Sequence, residues 1–147
     1  VGALVEGYHS DMTRTFVIGR PTPLQRELDE LVLAAQQAGV AAVAAGLSTK
    51  QLDAVCRDII TEGGYGDWFT HGTGHGVGLL IHEDPFVNRA GDAILQVGDV
   101  VTVEPGVYRE GFGGIRVEDL VVVTSEGCRV LTASPKESPC PPFPPTI

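Results

Sequence analysis

Three of the four histidines in this sequence lie in one short stretch of chain, beside a run of glycines. Glycine occupies every second position from Gly72 to Gly78, which predicts an extended backbone that another segment can approach closely. In an extended segment the side chains of His71 and His75 point to the same side, whereas His82 can join them only through a bend. The glycines do not fit the spacing of a nucleotide-binding loop. The stretch is therefore either a loop with solvated histidines or a site where imidazoles take part in chemistry.

Acidic residues embedded in strand-like runs give a second signal. Glu104 closes the apolar run Val100–Val103, Glu118 lies inside the β-rich run Ile115–Thr124, and Asp11 precedes a threonine-containing segment. A carboxylate in such a position is unfavourable unless it is exposed, paired or bound to a cation. Taken alone, each of these acids is more often a solvated or salt-bridged residue.

The alternation of side chains along a strand assigns these acids to faces. It places Glu118 on the same face as Arg116 and opposite Asp119, and it places Asp11 on the face opposite Arg14. The two acids of the Glu118-Asp119 pair are therefore expected to have different partners.

Asp11, His75, Glu104 and Glu118 together offer three carboxylates and one imidazole from four separate parts of the chain. Three carboxylates held close together repel each other, and divalent cations would neutralise them. Oxygen-rich ligation with one nitrogen and no thiolate favours Mn²⁺, with Co²⁺ or Zn²⁺ as alternatives. Two such ions about 3.5 to 4 Å apart polarise a carbonyl and activate water, which is hydrolytic chemistry.

Two helices and several strands must position these residues. Thr22 and Pro23 are typical of an N-cap and a first helical residue, and the apolar spacing that follows predicts a helix ending near Gly46. A capping box at Ser48 predicts a second helix that stops at Gly63-Gly64.

The remaining segments favour extended structure. Val1–Val5 and Thr13–Val17 are expected to form a hairpin with a turn at Glu6-Gly7, and further strands are expected at positions 100–103, 115–124 and 129–131. This order predicts an α+β domain with helices packed on one face of a curved antiparallel sheet.

Composition excludes several classes of function. The net charge of −9 disfavours nucleic acid as a partner, and no apolar run is long enough to span a membrane. Three widely spaced cysteines fit a reducing compartment, so we expect a cytoplasmic protein, with Cys56 in the core. The chain begins without a leader and is expected to be truncated at its N-terminus. Residues 138–147 are proline-rich and are expected to form a disordered tail after a domain at 1–137.

Five motifs, in order, resemble those of the pita-bread metallopeptidases of family M24. They are Gly7-Tyr-His-Ser-Asp-Met-Thr-Arg-Thr15, His71-Gly-Thr-Gly-His75, His82-Glu-Asp-Pro85, Val103-Glu-Pro-Gly106 and Gly114-Ile-Arg-Val-Glu-Asp119. Arg116 with Glu118-Asp119 is most similar to the branch of Xaa-Pro dipeptidases (prolidases) and Xaa-Pro aminopeptidases. The resemblance implies the pita-bread fold, the C-terminal part of a catalytic domain, and metal-dependent hydrolysis of the peptide bond before proline in short peptides.

The resemblance also implies a role for each site residue. Asp11 and Glu118 would bridge two metal ions, and His75 and Glu104 would complete the shell of one of them. Glu104 would also accept a proton from the attacking water.

Substrate contacts are implied for four residues. His71 and His82 would contact the scissile carbonyl, and Tyr108 and Arg116 would orient the proline side of the substrate. Arg116 has an equally weighted alternative role, an ion pair that fixes the rotamer of a ligand. Homodimers are common in this family.

One part of the family pattern is missing. A further metal-binding aspartate is expected eleven positions before Asp11, which falls just before Val1. The second metal site is therefore expected to keep only the bridging oxygens of Asp11 and Glu118 and to bind its ion weakly, which leaves the activity of this chain open. Two alternatives remain: a non-catalytic relative that binds peptides or proteins, and a metal-free hydrolase of the creatinase type, which the carboxylate set disfavours.

Overall fold

Residues 1–136 are described by a computed structural model. The expected tail at 138–147 and Cys140 lie outside the described residues. The elements, in chain order, are β1 (Ala3–Val5), β2 (Tyr8–Ser10), α1 (Pro23–Ala42), α2 (Thr49–Glu62), a 3₁₀ turn (Gly66–Trp68), β3 (Gly74–Gly76), β4 (Glu83–Val87), β5 (Val100–Val103), β6 (Gly106–Arg109), β7 (Gly113–Arg116), β8 (Asp119–Thr124) and β9 (Gly127–Val130).

The strands form three antiparallel groups. The central sheet has five strands in the order β4-β3-β5-β8-β9, and β1-β2 and β6-β7 are separate two-stranded pairs. Helix α1 packs against β5, β7 and β9, and α2 packs against α1 and β4. The helices and the sheet share one hydrophobic core, which includes Leu28, Val32, Leu52, Cys56, Ile60, Val101, Val103, Val121 and Val123.

Both helices begin where the sequence predicts. Thr22 and Ser48 each form a complete capping box, in which the cap side chain accepts from the N3 backbone and the N3 glutamine returns a bond to the cap. Helix α1 ends at Ala42, four residues before Gly46, because the chain is already extended at Val43.

Two expectations about strands were wrong. The N-terminal hairpin pairs β1 with β2, not with Thr13–Val17, because the turn at Glu6-Gly7 has positive φ at both residues and pairs the residues directly beside it. Thr13 instead makes an isolated bridge to Glu118. The run Ile115–Thr124 is not one strand: its start belongs to β7, which pairs with β6, and its end forms β8, which pairs with β5.

Successive side chains of β5 point to opposite faces of the sheet, one facing the helices and the other facing the site. Val101 and Val103 lie in the core, while the hydroxyl of Thr102 on the opposite face contacts Glu104 and His75. No helix within residues 1–136 is both long and apolar enough to cross a membrane.

Candidate metal centre and substrate cavity

Four candidate ligands, each within or next to a short strand, lie together on the site side of the sheet. Asp11 follows β2, His75 is the centre of β3, Glu104 follows β5 and Glu118 precedes β8. The bridge between Thr13 and Glu118 joins the first of these segments to the last. The tertiary structure thus gathers side chains that are separated by more than a hundred positions in the chain.

Asp11, His75 and Glu118 each place one ligand atom within 4.8 Å of the other two. Glu118 is 1% exposed; its Oε2 accepts a 2.5 Å hydrogen bond from Thr13, and its buried Oε1 has no hydrogen-bond partner within residues 1–136. The pKa of Glu118 is raised to about 7: burial contributes most, the nearby carboxylates of Glu104 and Asp11 also raise it, and Thr13 and Arg116 act in the opposite direction. A divalent cation would supply the missing partner of Oε1, so this cluster fits a metal site.

Glu104 lies beside this triad and is bonded to it. Its Oε1 is 3.1 Å from His75 Nε2 and accepts a 3.0 Å hydrogen bond from the hydroxyl of Thr102, and its Oε2 is 3.9 Å from Arg116 Nε. Burial acts to raise the pKa of Glu104, but His75, Thr102 and Arg116 outweigh it and hold the pKa below its ordinary value. Glu104 is therefore ionised at neutral pH.

The imidazole of His75 is oriented by its backbone. Its Nδ1 is 3.0 Å from the carbonyl of Gly76, so Nδ1–H donates there and Nε2 faces Glu104 and Asp11, at 3.1 and 4.0 Å. Burial lowers the pKa of His75, but the hydrogen bonds to Glu104 and Gly76 outweigh it and raise the pKa. This Nε2 is the atom that a metal ion would use, because a carbonyl partner on the other nitrogen fixes the tautomer and the ring plane.

A cavity of about 550 Å³ opens next to the triad. Its lining includes His75 of the triad and all the remaining candidate site residues: His71, His82, Glu104, Tyr108 and Arg116. His71 Nε2 is 3.0 Å from the Tyr108 hydroxyl, and the exposed ring of His82 lies 4.3 Å from the ring of His75. The bend between β3 and β4 therefore brings His82 to the other histidines, as the sequence predicts.

Besides its ion pair with Glu104, Arg116 makes two hydrogen-bonding contacts at the site. Its Nε donates to the hydroxyl of Thr13 at 2.9 Å, and that hydroxyl donates to Glu118. Its Nη1 is 3.5 Å from the Tyr108 hydroxyl on the cavity side. The contact with Glu118 is thus relayed by Thr13 and is not a direct ion pair, so each of the two roles expected for Arg116 keeps a structural basis.

The face assignments from alternation are confirmed. Asp119 points away from Glu118 and bonds Arg14 at 2.8 Å, Lys136 at 2.6 Å and Gln36 at 3.1 Å. This buried network explains how two adjacent acids are accommodated at the start of β8, since each has a different set of partners.

Sequence reasoning assigned no role to two threonines of the site. Thr13 bonds Glu118, and Thr102 bonds both Glu104 and the backbone N–H of His75. The signal for Thr102 was present, since it is the one polar residue of an otherwise apolar strand. Thr13 could be found only once its bridge to Glu118 was known.

The family model described as metallopeptidase family M24 matches residues 1–125. The chain belongs to metallopeptidase family M24. An Xaa-Pro dipeptidase of Pyrococcus furiosus is 47% identical to it over 137 residues, which are 93% of this chain and 39% of that relative. The expected family and its Xaa-Pro branch are confirmed.

Solved structures agree with this family assignment. The prolidase from Pyrococcus horikoshii superposes with a TM-score of 0.91 at 45% identity. The superposition covers 92% of this chain and 39% of the prolidase chain. Aminopeptidase P of Escherichia coli superposes with a TM-score of 0.83 at 30% identity, and the superposition covers 94% of this chain and 38% of the aminopeptidase chain. The expected pita-bread fold, an α+β fold with a curved antiparallel sheet, is thereby confirmed, and this M24 chain spans 39% of the length of the dipeptidase relative.

Proposed function

We propose that this chain is part of a metal-dependent peptidase that hydrolyses the peptide bond preceding proline in short peptides. The observation that carries the proposal is the unpartnered, buried Oε1 of Glu118, which lies in a cluster with ligand atoms of Asp11 and His75. A buried carboxylate oxygen without a hydrogen bond is costly unless a cation binds it. Relatives named Xaa-Pro dipeptidase support the choice of substrate.

The cations would be two divalent ions, bridged by Asp11 and Glu118, with His75 and Glu104 on one of them. The donor set of carboxylates and one imidazole favours Mn²⁺, and Co²⁺ or Zn²⁺ would also suit it. Such ions lower the pKa of water and polarise a carbonyl when bound. Residues 1–137 would form the part of the catalytic domain that this chain supplies, and the odd cysteine count supports a cytoplasmic location.

Glu104 would accept the proton of the attacking water. It is ionised at neutral pH, and its Oε1 is oriented by the Thr102 hydroxyl beside His75. A general base must be both deprotonated and within hydrogen-bond reach of its proton, and the position of this ionised carboxylate in the lining of the cavity supports the role.

Four residues around the cavity would bind and orient the peptide. His71 and His82 would donate to the scissile carbonyl, and Tyr108 and Arg116 would contact the proline side. Their placement around one cavity of about 550 Å³ supports this division, because that volume accommodates a dipeptide.

The test is hydrolysis by the protein at its full natural length. We expect Mn²⁺-dependent cleavage of Xaa-Pro dipeptides, with loss of activity after chelation and recovery on adding Mn²⁺. Longer Xaa-Pro peptides tested alongside distinguish a dipeptidase from an aminopeptidase, and Ala-Ala serves as the substrate control without proline.

Two outcomes would contradict the proposal. Hydrolysis that resists chelation would remove the metal mechanism. Tight Mn²⁺ binding without hydrolysis of any Xaa-Pro peptide would favour the non-catalytic, peptide-binding alternative.

A further inference from the structure

A buried ion pair on α2 lies behind the segment that carries His71. Asp53 and Arg57 are four residues apart on the helix and are 1% and 8% exposed. Arg57 donates to both carboxylate oxygens of Asp53, at 2.7 and 2.9 Å. Neither residue lies among the candidate metal ligands.

Arg57 uses its remaining donors on the backbone of the segment before β3. Its Nη1 donates to the carbonyl of Phe69 at 3.0 Å, and its Nη2 donates to the carbonyl of His71 at 2.7 Å. The guanidinium also lies 4.0 Å from the centre of the Phe69 ring, which in turn contacts the ring of His71 edge-on at 5.2 Å. The side chain of Arg57 thus fixes the backbone at Phe69 and at His71.

Asp53 holds the segment on the other side of His71. Its Oδ1 accepts from the backbone N–H and the hydroxyl of Thr73, at 2.9 and 3.0 Å. The carbonyl of Thr73 accepts a 2.7 Å hydrogen bond from the N–H of Glu104. The ion pair therefore binds the backbone on both sides of the His71 side chain, at Phe69 and at Thr73. It is connected to the backbone of Glu104 by the hydrogen bond between Thr73 and Glu104.

We propose that Asp53 and Arg57 are positioning residues that hold the His71 imidazole at the cavity, with Nε2 against the Tyr108 hydroxyl. The proposal rests on the proposed function, in which His71 contacts the substrate. Two apolar residues could join α2 to the sheet at no desolvation cost, so the placement of two charges there needs another reason. That reason is the set of backbone groups between Phe69 and Thr73, which require donors and acceptors in a fixed arrangement.

The kinetic test compares Arg57 variants in two backgrounds of the full-length, Mn²⁺-loaded protein. If Arg57 acts through His71, Arg57→Lys lowers kcat/KM for an Xaa-Pro dipeptide by about 10- to 100-fold in the wild type, since a misplacement of about 1 Å costs about 100-fold. The same substitution then has little further effect when His71 is already Ala. Equal losses in both backgrounds would mean that Arg57 serves stability alone and would overturn the proposal.

Two further variants show whether a loss of activity comes from unfolding of the protein. Arg57→Met leaves Asp53 buried and unpaired, so it is combined with Asp53→Asn, which retains an acceptor for Thr73 and removes both charges. Asp58→Asn on the exposed side of α2 is the matched control for the loss of one negative charge and is expected to leave kcat/KM unchanged.

A spectroscopic measurement separates this proposal from the proposed function. In the full-length protein loaded with diamagnetic Zn²⁺ in place of Mn²⁺ and carrying isotope-labelled histidine, the ring signals of His71 are expected to shift and broaden in the Asp53→Asn/Arg57→Met variant, while those of His9 stay in place. A wild type that hydrolyses no Xaa-Pro peptide would contradict the function but not these shifts. Unchanged His71 signals would overturn the positioning role whatever the activity.

Discussion

Glu118 has two carboxylate oxygens in different situations. Oε2 is held by the Thr13 hydroxyl, whereas Oε1 is buried and has no hydrogen-bond partner among residues 1–136. Since the pKa of Glu118 is about 7 and that of His75 is raised, both residues carry protons in the metal-free protein at pH 6. A cation must displace these protons to bind.

Binding of Mn²⁺ is therefore expected to release protons and to tighten as the pH rises from 6 to 8. At pH 6 we expect a release of about two protons per ion, falling by about one in Glu118→Gln. Calorimetry in two buffers of different ionisation enthalpy measures this number. A pH-independent affinity with no proton release would contradict the assignment of Glu118 and His75 as ligands.

Thr102 connects Glu104, the proposed proton acceptor, to His75, a proposed metal ligand. Thr102→Val keeps the shape of the side chain but removes the bonds to Glu104 and to the N–H of His75. We expect Mn²⁺ affinity to fall by about 10- to 100-fold, since partners of metal ligands have effects of that size. The unfolding free energy should fall by about 1–3 kcal/mol because a buried N–H loses its acceptor.

Thr102→Ser is the matched control, since it retains the hydroxyl and removes only a methyl group. It should keep most of the Mn²⁺ affinity. If the valine and serine variants bind equally well in a titration, the hydroxyl of Thr102 has no part in the site.

At the scale of elements, the position of His75 is set by the three-residue strand β3. It lies between β4 and β5, and its glycines let both neighbours approach. A Cβ on Gly74 would overlap the carbonyl of Thr102, and one on Gly76 would overlap the carbonyl of Asp84. The alternating glycines thus serve close packing of the backbone around one histidine.

Gly74→Ala should displace β3 from β5 and His75 from the triad. We expect a loss of about 1–3 kcal/mol in unfolding free energy, the usual cost of overpacking, together with weaker Mn²⁺ binding. Denaturant unfolding and metal titration measure the two effects. Gly111→Ala at the open tip of the β6-β7 hairpin, where φ is +77°, is the control; it should cost about 1–2 kcal/mol of backbone strain and leave Mn²⁺ affinity unchanged.

At the scale of the whole molecule, the proposed ligands Asp11, His75, Glu104 and Glu118 would be enough for one metal site. The further aspartate that the family resemblance implies would lie just before Val1, and the α-amino group of Val1 bonds the carbonyl of Met12, next to Asp11. A residue added before Val1 would therefore begin close to the cluster.

We expect the 147-residue chain to bind one Mn²⁺ tightly and a second weakly. A version with an aspartate added before Val1 should bind the second ion more tightly and gain more thermal stability at the same Mn²⁺ concentration, because binding to the folded state alone stabilises it. Calorimetric titration of both versions is the measurement. Two tight ions in each would show that the added ligand is not needed.

The sequence alone determined the parts of this protein that depend on neighbouring residues. Capping residues and apolar spacing placed the starts of α1 and α2, and the period of two separated Glu118 from Asp119. The ordered motifs carried the family resemblance, and with it the candidate ligands.

Only the tertiary structure decided the pairings between distant segments. The hairpin partner of β1, the division between β7 and β8, and the bonds of Thr13 and Asp53 were not predicted. Thr13 and Glu118 are 105 positions apart, and their bond depends on how β2, β5 and β8 are brought together in space. Local propensity acts over a few residues, whereas the geometry of the site is set by sheet register and helix packing over the whole chain.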